Sequence, residues 1–431
     1  MSWQPWCALV AAALVNLAAA EPAQPAKPYT TVPAVMCQPR DGLGNVFSKL
    51  QAGGPVTICY FGGSITAQPG WRVKTFDWFK QTYPQAKLTQ IDATIGGTNS
   101  EHGVYRCGQD VLAFKPDLVF VEFAVNDNGM NHNDNFRSME GIVRQIWRAN
   151  PATDICFVYT FVRGYDKQLD KGDNPSAASA HELIADWYGI PSINVALRAS
   201  QMMHDGKMIL TPRKGPDGKD LPADPGVLIF SDDGVHPRIE SGHQVYFEAC
   251  REAFDQLRRD PKPGAHTLRT PFIADNWEAA KLVPLKASML SPEWSNAPIH
   301  QTRDFHNRLP ELWHTETPGA TLSFRFRGVT AKLYDLLGPD GGMVTVEVDG
   351  KVGKPIPRFD SYCSYWRLAN LPLFSSATEG EHTVKVTLLD KQPDRSSVTK
   401  IESAKPGYDP KKYDGTRLWV GSIMVLGDVI E

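Results

Sequence analysis

Val56-Thr57-Ile58-Cys59-Tyr60-Phe61-Gly62-Gly63-Ser64-Ile65-Thr66 is a run of strand formers that breaks on two glycines and a serine. Its first six positions are β-branched, aromatic or cysteine, the composition of a strand buried on both faces. A helix-like stretch follows at residues 71–79. Strand, tight turn and helix together open a parallel α/β unit, and the chain repeats the pattern. Residues 88–93, 118–125, 155–161 and 192–195 read as further strands. Between them, Met139, Ile142, Val143 and Ile146 recur at helical spacing before Pro151, and Leu183, Ile184 and Trp187 share a face that Gly189 closes. The expected fold is a doubly wound, three-layer α/β domain with a parallel sheet over residues 55–262.

Beyond this region the period changes. Residues 204–226, with Pro212, Pro216, Pro222 and Pro225, read as a long loop over the domain. Asp260-Pro261-Lys262-Pro263-Gly264 opens a linker, assigned to residues 263–300. From about residue 319 apolar residues alternate with polar ones, as in Leu322, Phe324 and Phe326. Residues 331–334, 344–348, 383–388 and 418–425 follow, separated by turns such as Gly338-Pro339-Asp340-Gly341-Gly342 and Asp349-Gly350. That pattern predicts an all-β module over residues 301–431, a jelly-roll-like sandwich.

The length of 431 residues suits two domains of roughly 100–200 residues each. Apolar residues at 42% and charged residues at 22% exclude global disorder. Lys and Arg total 45 against 48 Asp and Glu, a net charge of −3, which excludes a strong positive field for nucleic acid or anionic membrane. The apolar run at residues 7–20 is shorter than the roughly 20 residues a membrane span needs. It ends in Ala18-Ala19-Ala20 before Glu21-Pro22, as a secretory signal over residues 1–20 would, although residues 1–6 lack Lys and Arg. The expected location is therefore secreted or periplasmic, with residues 21–54 as a lead-in. Cleavage would leave Cys37, Cys59, Cys107, Cys156, Cys250 and Cys363, an even set that permits disulfides. Cys59 and Cys156 sit in strand-like runs and read as buried thiols, and there is no CxxC pair.

Chemistry gathers at the predicted strand ends, where open parallel sheets bind their ligands. Ser64 follows the first strand, and Gly62 and Gly63 let the backbone turn sharply there, although Gly-Gly-Ser alone is equally an ordinary turn. Ile95-Gly96-Gly97-Thr98-Asn99 follows residues 88–93, Asn126-Asp127-Asn128 follows residues 118–125, and Ser231-Asp232-Asp233-Gly234-Val235-His236-Pro237 follows residues 227–230. A serine hydroxyl is a poor nucleophile until a base takes its proton, and a near-neutral imidazole such as that of His236 is suited to the task. Asp233, three residues earlier in the same loop, can orient that ring. Asp232, Asp233, His236 and His243 could also be drawn as a metal site. His243 falls on the following helix, however, and no second acid/His cluster has ligand spacing, so no metal and no cofactor is expected.

In this order the four segments resemble the blocks of the SGNH (GDSL-like) hydrolase superfamily, over residues 55–259. The first block has Gly63 where the better-known Gly-Asp-Ser form has Asp, as in a Gly-x-Ser-Ile-Thr subgroup. The third has Ala124-Val125 where many members carry Gly-x. The resemblance implies a flavodoxin-like hydrolase domain with Ser64 as nucleophile, His236 as base and Asp233, rather than Asp232, as its partner. It also implies an oxyanion hole of the Ser64 N–H, the Gly97 N–H and the Asn126 side-chain amide. Trp71 and Arg72, shortly after Ser64, are candidates to line the substrate pocket.

Secretion, a serine hydrolase domain and an attached β module look like the carbohydrate-acting branch of that superfamily. The expected activity is removal of small acyl groups, acetyl first, from an acylated polysaccharide or oligosaccharide, with no nucleic-acid partner and no membrane span. Trp313, Tyr334, Tyr362, Tyr365, Trp366 and Trp419 are candidates for sugar stacking, against a core role for aromatics that alternate in strands. The alternatives are an extracellular O-acyltransferase on glycans using the same triad, a lipase- or thioesterase-like acyl hydrolase, and a non-catalytic glycan-binding protein. The glycan and the oligomeric state are not legible.

Overall fold

A computed structural model describes residues 28–259, 261–296, 305 and 307–430; the expected signal segment and Cys7 lie outside them. In the first domain the elements run β1 (Cys37–Gln38), α1 (Gly44–Gln51), β2 (Pro55–Gly62), α2 (Ser64–Ala67), α3 (Trp71–Thr82), β3 (Lys87–Asp92), α4 (Ser100–Asp110), β4 (Leu118–Glu122) and α5 (His132–Ala149). They continue with β5 (Asp154–Tyr159), α6 (Asp166–Leu169), α7 (Ser176–Tyr188), β6 (Ser192–Asn194) and α8 (Val195–His204). A short parallel pair, β7 (Met208–Ile209) and β8 (Leu228–Ile229), closes the base of the predicted long loop, and α9 (Gly242–Leu257) completes the domain.

The main sheet has the order β1-β6-β5-β4-β2-β3, parallel except for β1. Its inner strands β2, β4 and β5 are largely apolar on both faces because both are covered. Phe61, Val119, Val121 and Phe157 point into one core with residues of α4, α5 and α7. Ile58, Tyr60, Leu118, Phe120 and Val158 point into the other with residues of α1 and α9. These are the three layers expected from the sequence. The chain leaves β2 for β3 on one side and then crosses to β4 on the other. The carboxyl ends of β2 and β4 therefore flank a topological switch point, the place where such sheets open a crevice.

Two boundaries differ from expectation. The assigned lead-in contains β1, which pairs with β6, and α1, whose Val46, Phe47 and Leu50 are buried in the core, so the domain takes up chain well before residue 55. The assigned linker is likewise structured. Its Phe272 and Ile273 N–H groups donate to the Glu140 carboxylate on α5. Its residues Ala280–Pro284 form β9, which pairs with the last strand of the chain. An apolar partner and a backbone pairing, absent from any local pattern, decide both cases.

The C-terminal domain continues with β10 (Ser295–Asn296), β11 (Trp313–Thr315), β12 (Thr321–Leu337), β13 (Met343–Val348), β14 (Lys351–Val352), β15 (Ile356–Pro357), β16 (Arg367–Leu388) and β17 (Leu418–Ile430). All pair antiparallel, in the order β10-β11-β17-β12-β16-β13-β14, with β15 on β13. The long strands carry register shifts at Gly328/Thr330, Ala331/Lys332 and Tyr334/Asp335, and such bulges bend a strand. Phe324 and Phe326 before the first shift, and Ala331 and Leu333 after it, accordingly share one core with Val384, Val386, Ile423 and Val425.

The opposite face of this sheet is equally apolar where it meets the first domain. Tyr334, Leu336, Trp419, Met424 and Leu426 belong to the same buried cluster as Val104 and Tyr105 of α4 and Met139 and Ile142 of α5. Lys332 pairs with Glu101, and the His102 ring meets the Tyr334 ring edge-on at 4.9 Å between centroids. All six cysteines among the described residues are buried and unpaired.

Burial of His102 at this interface, reinforced by Arg106 and Lys332, lowers its pKa from 6.5 to about 3. The unfolded chain therefore binds one more proton than the folded chain as the pH falls from about 6.5 towards 3, and stability present in full above that window is lost within it. Melting experiments at pH 7, 6 and 5 should show a shallower acid loss for His102→Gln than for wild type, by up to about 1.4 kcal/mol per pH unit.

Candidate active site

Ser64 stands at the first position of α2, directly after the carboxyl end of β2. The two preceding glycines are needed for space rather than for a left-handed backbone. Gly62 lies opposite Glu122 in the β2–β4 register, and a Cβ on it would sit 2.6 Å from the Glu122 carbonyl oxygen and 3.2 Å from Thr66 Oγ1. A Cβ on Gly63 would collide with Asn126 Oδ1. The glycine at position 63 thus lets the side-chain amide just beyond β4 lie against the serine's turn. Its carbonyl arm faces Gly63, so its amino arm is directed away from that residue.

The next loop lies on the other side of the serine. Ile95 N–H donates to the Gly62 carbonyl at 3.0 Å, and a Cβ on Gly96 would sit 3.5 Å from that of Ser64. Gly97 has φ of +73°, a left-handed conformation that suits glycine, and Asn99 then caps α4 by accepting from the His102 N–H. Buried Asp127 ties this loop to the third one. Its carboxylate accepts from Ser100 N–H and from His181 Nε2, both at 2.8 Å, fixing the backbone next to Asn126.

The fourth loop is wound around Asp233. One carboxylate oxygen, Oδ1, accepts from the Ser231 hydroxyl and from the N–H groups of Val235 and His236 at 2.8–2.9 Å. The other, Oδ2, is 2.6 Å from His236 Nδ1. Burial opposes the charge, but the His236 ring, these N–H groups and the Ser231 hydroxyl together hold the carboxyl well below the usual aspartate range. An ionised Asp233 can only accept, so Nδ1 carries the proton and Nε2 is the basic nitrogen. His236 Nε2 is 2.8 Å from Ser64 Oγ. Four loops from separate strand ends therefore bring Ser64, Gly97, Asn126, Asp233 and His236 to one place.

Other candidates are used elsewhere. Trp71 is fully buried in the core against Tyr60 and Phe120, so it cannot line a pocket. Arg72 is 7% exposed, and its guanidinium is engaged by the carbonyls of Thr66 and Ala67, by Gln90 and by Asp92. Both support the serine's turn from below. Asp232 points outward to Arg238. His243 is buried and neutral, its pKa lowered by burial to about 3, with Nδ1 accepting from Trp71 N–H and Nε2 facing Gln68 Oε1. With both ring nitrogens used, it is a structural histidine. Of the aromatic residues in the second domain, Tyr334 and Trp419 are buried, whereas Tyr362 and Tyr365 are exposed.

Sequence reasoning missed Glu122, Thr66 and Thr160, which meet under the Ser64 turn. Thr66 Oγ1 and Thr160 Oγ1 each donate to the Glu122 carboxylate at 2.7 Å. An acid at the end of an otherwise apolar strand was the one signal that could have found them.

Residues 60–245 match the model of the GDSL-like Lipase/Acylhydrolase family. No curated protein matches the chain. Among solved structures, the fold is similar to that of a two-domain esterase (CEX) active on acetylated mannans, co-crystallized with mannopentaose: 18% identity, 91% of this chain and 97% of that one, TM-score 0.68. A second structure of a two-domain esterase (CEX) active on acetylated mannans gives 18% identity, 91% of this chain and 98% of that one, and a TM-score of 0.67. The likeness extends over both domains. The family match lies within the α/β domain, and it supports a carboxylic ester hydrolase.

Proposed function

We propose that the protein is a secreted or periplasmic serine esterase that removes acetyl and other small acyl groups from polysaccharide. The observation that carries this reading is the unbroken hydrogen-bonded series Ser64–His236–Asp233 at the switch point of the sheet, beside Gly97 and Asn126. Ser64 Oγ attacks the ester carbonyl as its proton passes to His236 Nε2. The fixed Asp233 carboxylate stabilises the resulting imidazolium. Negative charge on the carbonyl oxygen is met by the N–H groups of Ser64 and Gly97 and by the Asn126 amide. As the carbon–oxygen bond to the sugar breaks, His236 returns the proton to the sugar oxygen and leaves an acyl-Ser64. Water, deprotonated by His236, then repeats the attack and frees the acid.

The polysaccharide assignment is supported by the two-domain likeness to an esterase active on acetylated mannans. Tyr362 and Tyr365 offer exposed rings in the second domain. Among the described residues no helix is long and apolar enough to cross a membrane.

Acetate release from acetylated mannan, xylan, pectin, xyloglucan and peptidoglycan, measured for wild type and variants, tests the reading. Ser64→Ala should lose at least about 10⁴-fold in kcat, and equal release by the two proteins would refute serine catalysis. Asp233→Asn should lose about 10⁴-fold with little change in KM, because the ring loses its tautomer. Asn126→Ala should lose about 10²–10³-fold. Gly97→Ala, forced to keep φ positive, should also lower kcat and reduce stability by about 1 kcal/mol.

A further inference from the structure

We propose that Glu122 is a positioning residue for Ser64: its one carboxyl group fastens the nucleophile's turn to the chain segment that holds the acid–base loop. The inference rests on the serine-esterase reading above. Glu122 is 1% exposed at the end of β4, between β2 and β5 in the sheet. Its carboxylate has no cation among its hydrogen-bond partners; instead each oxygen takes one threonine hydroxyl, Oε2 from Thr66 and Oε1 from Thr160. Thr66 is two residues after Ser64, in the same helical turn. Thr160 lies just beyond β5, and the residues after it reach the fourth loop. Phe161 N–H donates to the Tyr246 hydroxyl on α9, and Arg163 N–H donates to the Gly234 carbonyl, between Asp233 and His236.

The backbone of Glu122 takes part as well, accepting from Gly63 N–H at 3.3 Å. Gly62 leaves the room that this arrangement fills, since any Cβ there would meet both Glu122 and Thr66. A carboxyl group taken out of water is destabilising unless its hydrogen bonds are met, and here each oxygen has a threonine hydroxyl. Burial pushes Glu122 up to about 7 against the pull of the two threonine hydroxyls, with Asp127 adding to the rise. What the carboxyl supplies that an apolar side chain does not is a two-ended tether of fixed length. Catalytic rate is sensitive to displacements of about 1 Å between reacting groups, which is the scale this tether controls.

The test compares wild type with Glu122→Gln, Glu122→Leu, Thr160→Val and Ser64→Ala. The readouts are kcat and KM on 4-nitrophenyl acetate, the rate of inactivation by phenylmethylsulfonyl fluoride, and the melting curve. Glutamine can accept from Thr66 and donate to the oxygen of Thr160, so Glu122→Gln should stay within about threefold of wild type. Glu122→Leu should lose about 10–100-fold in kcat, and Thr160→Val about tenfold, at unchanged KM and with sulfonylation slowed by the same factor. A role in stability alone would lower the melting temperature and leave kcat per folded molecule unchanged, and that result in Thr160→Val overturns the inference even if Glu122→Leu fails to fold. Glu122→Gln as impaired as a folded Glu122→Leu also overturns it. Activity retained in Ser64→Ala would instead overturn the serine reading. Loss in Ser64→Ala with wild-type kcat in the tether variants would overturn only the role of Glu122.

Discussion

The hydrogen bond between Ser64 Oγ and His236 Nε2 joins side chains separated by 172 positions in the chain, and the rest of the first domain can be read as the means of holding it at 2.8 Å. The serine follows β2, and the histidine lies in the loop after β8. Bringing them together requires a sheet whose order reverses between β2 and β4, so that a crevice opens at the strand ends. Apolar packing on both faces fixes the strands, but apolar contacts are non-directional and set distances loosely. The final tenths of an ångström come from directed groups at the strand ends: Asp127 between the second and third loops, Asp233 within the fourth, and Glu122 beneath the first.

These three carboxylates do different work because their surroundings differ. Asp233 is partly exposed and receives four hydrogen bonds, so it remains charged and can stabilise an imidazolium. Glu122 is buried, and burial raises it to about 7 against the pull of the two threonine hydroxyls that donate to it. Asp127 bridges a backbone N–H and a histidine, locking a turn. All three stand at or beyond the carboxyl ends of strands, whereas Trp71, Tyr60 and Phe120 make close ring contacts in the apolar core.

Much of this was legible in the chain. The α/β alternation could be read because strands buried on both faces are nearly continuous in apolar residues, as in β2 and β4. The four loops could be read because each joins glycine or asparagine to a strand end. Trp71 and Arg72 were misplaced because sequence adjacency to Ser64 says nothing about direction: α3 turns their side chains under the serine's turn rather than towards solvent. The structured character of β1 and β9 was invisible for a related reason. Their partners, β6 and β17, lie about 150 positions away, and strands this short carry no periodicity of their own. The Glu122 tether escaped because its members are spread over three segments, each unremarkable alone.

The helix that begins at Ser100, just after the Gly97 loop, lies between the two sheets. On one side α4 packs on the parallel sheet, and on the other it receives Tyr334, Trp419 and Met424 from β12 and β17. The second domain is therefore a splint as much as an attachment. Whatever stiffness the Gly97 loop has is inherited partly from a sheet that contributes none of the five residues gathered at the Ser64 site. Exchanging that sheet for another of similar outline would alter the footing of this loop, so the two halves have to be considered as one mechanical body whose Ser64 face is braced from behind.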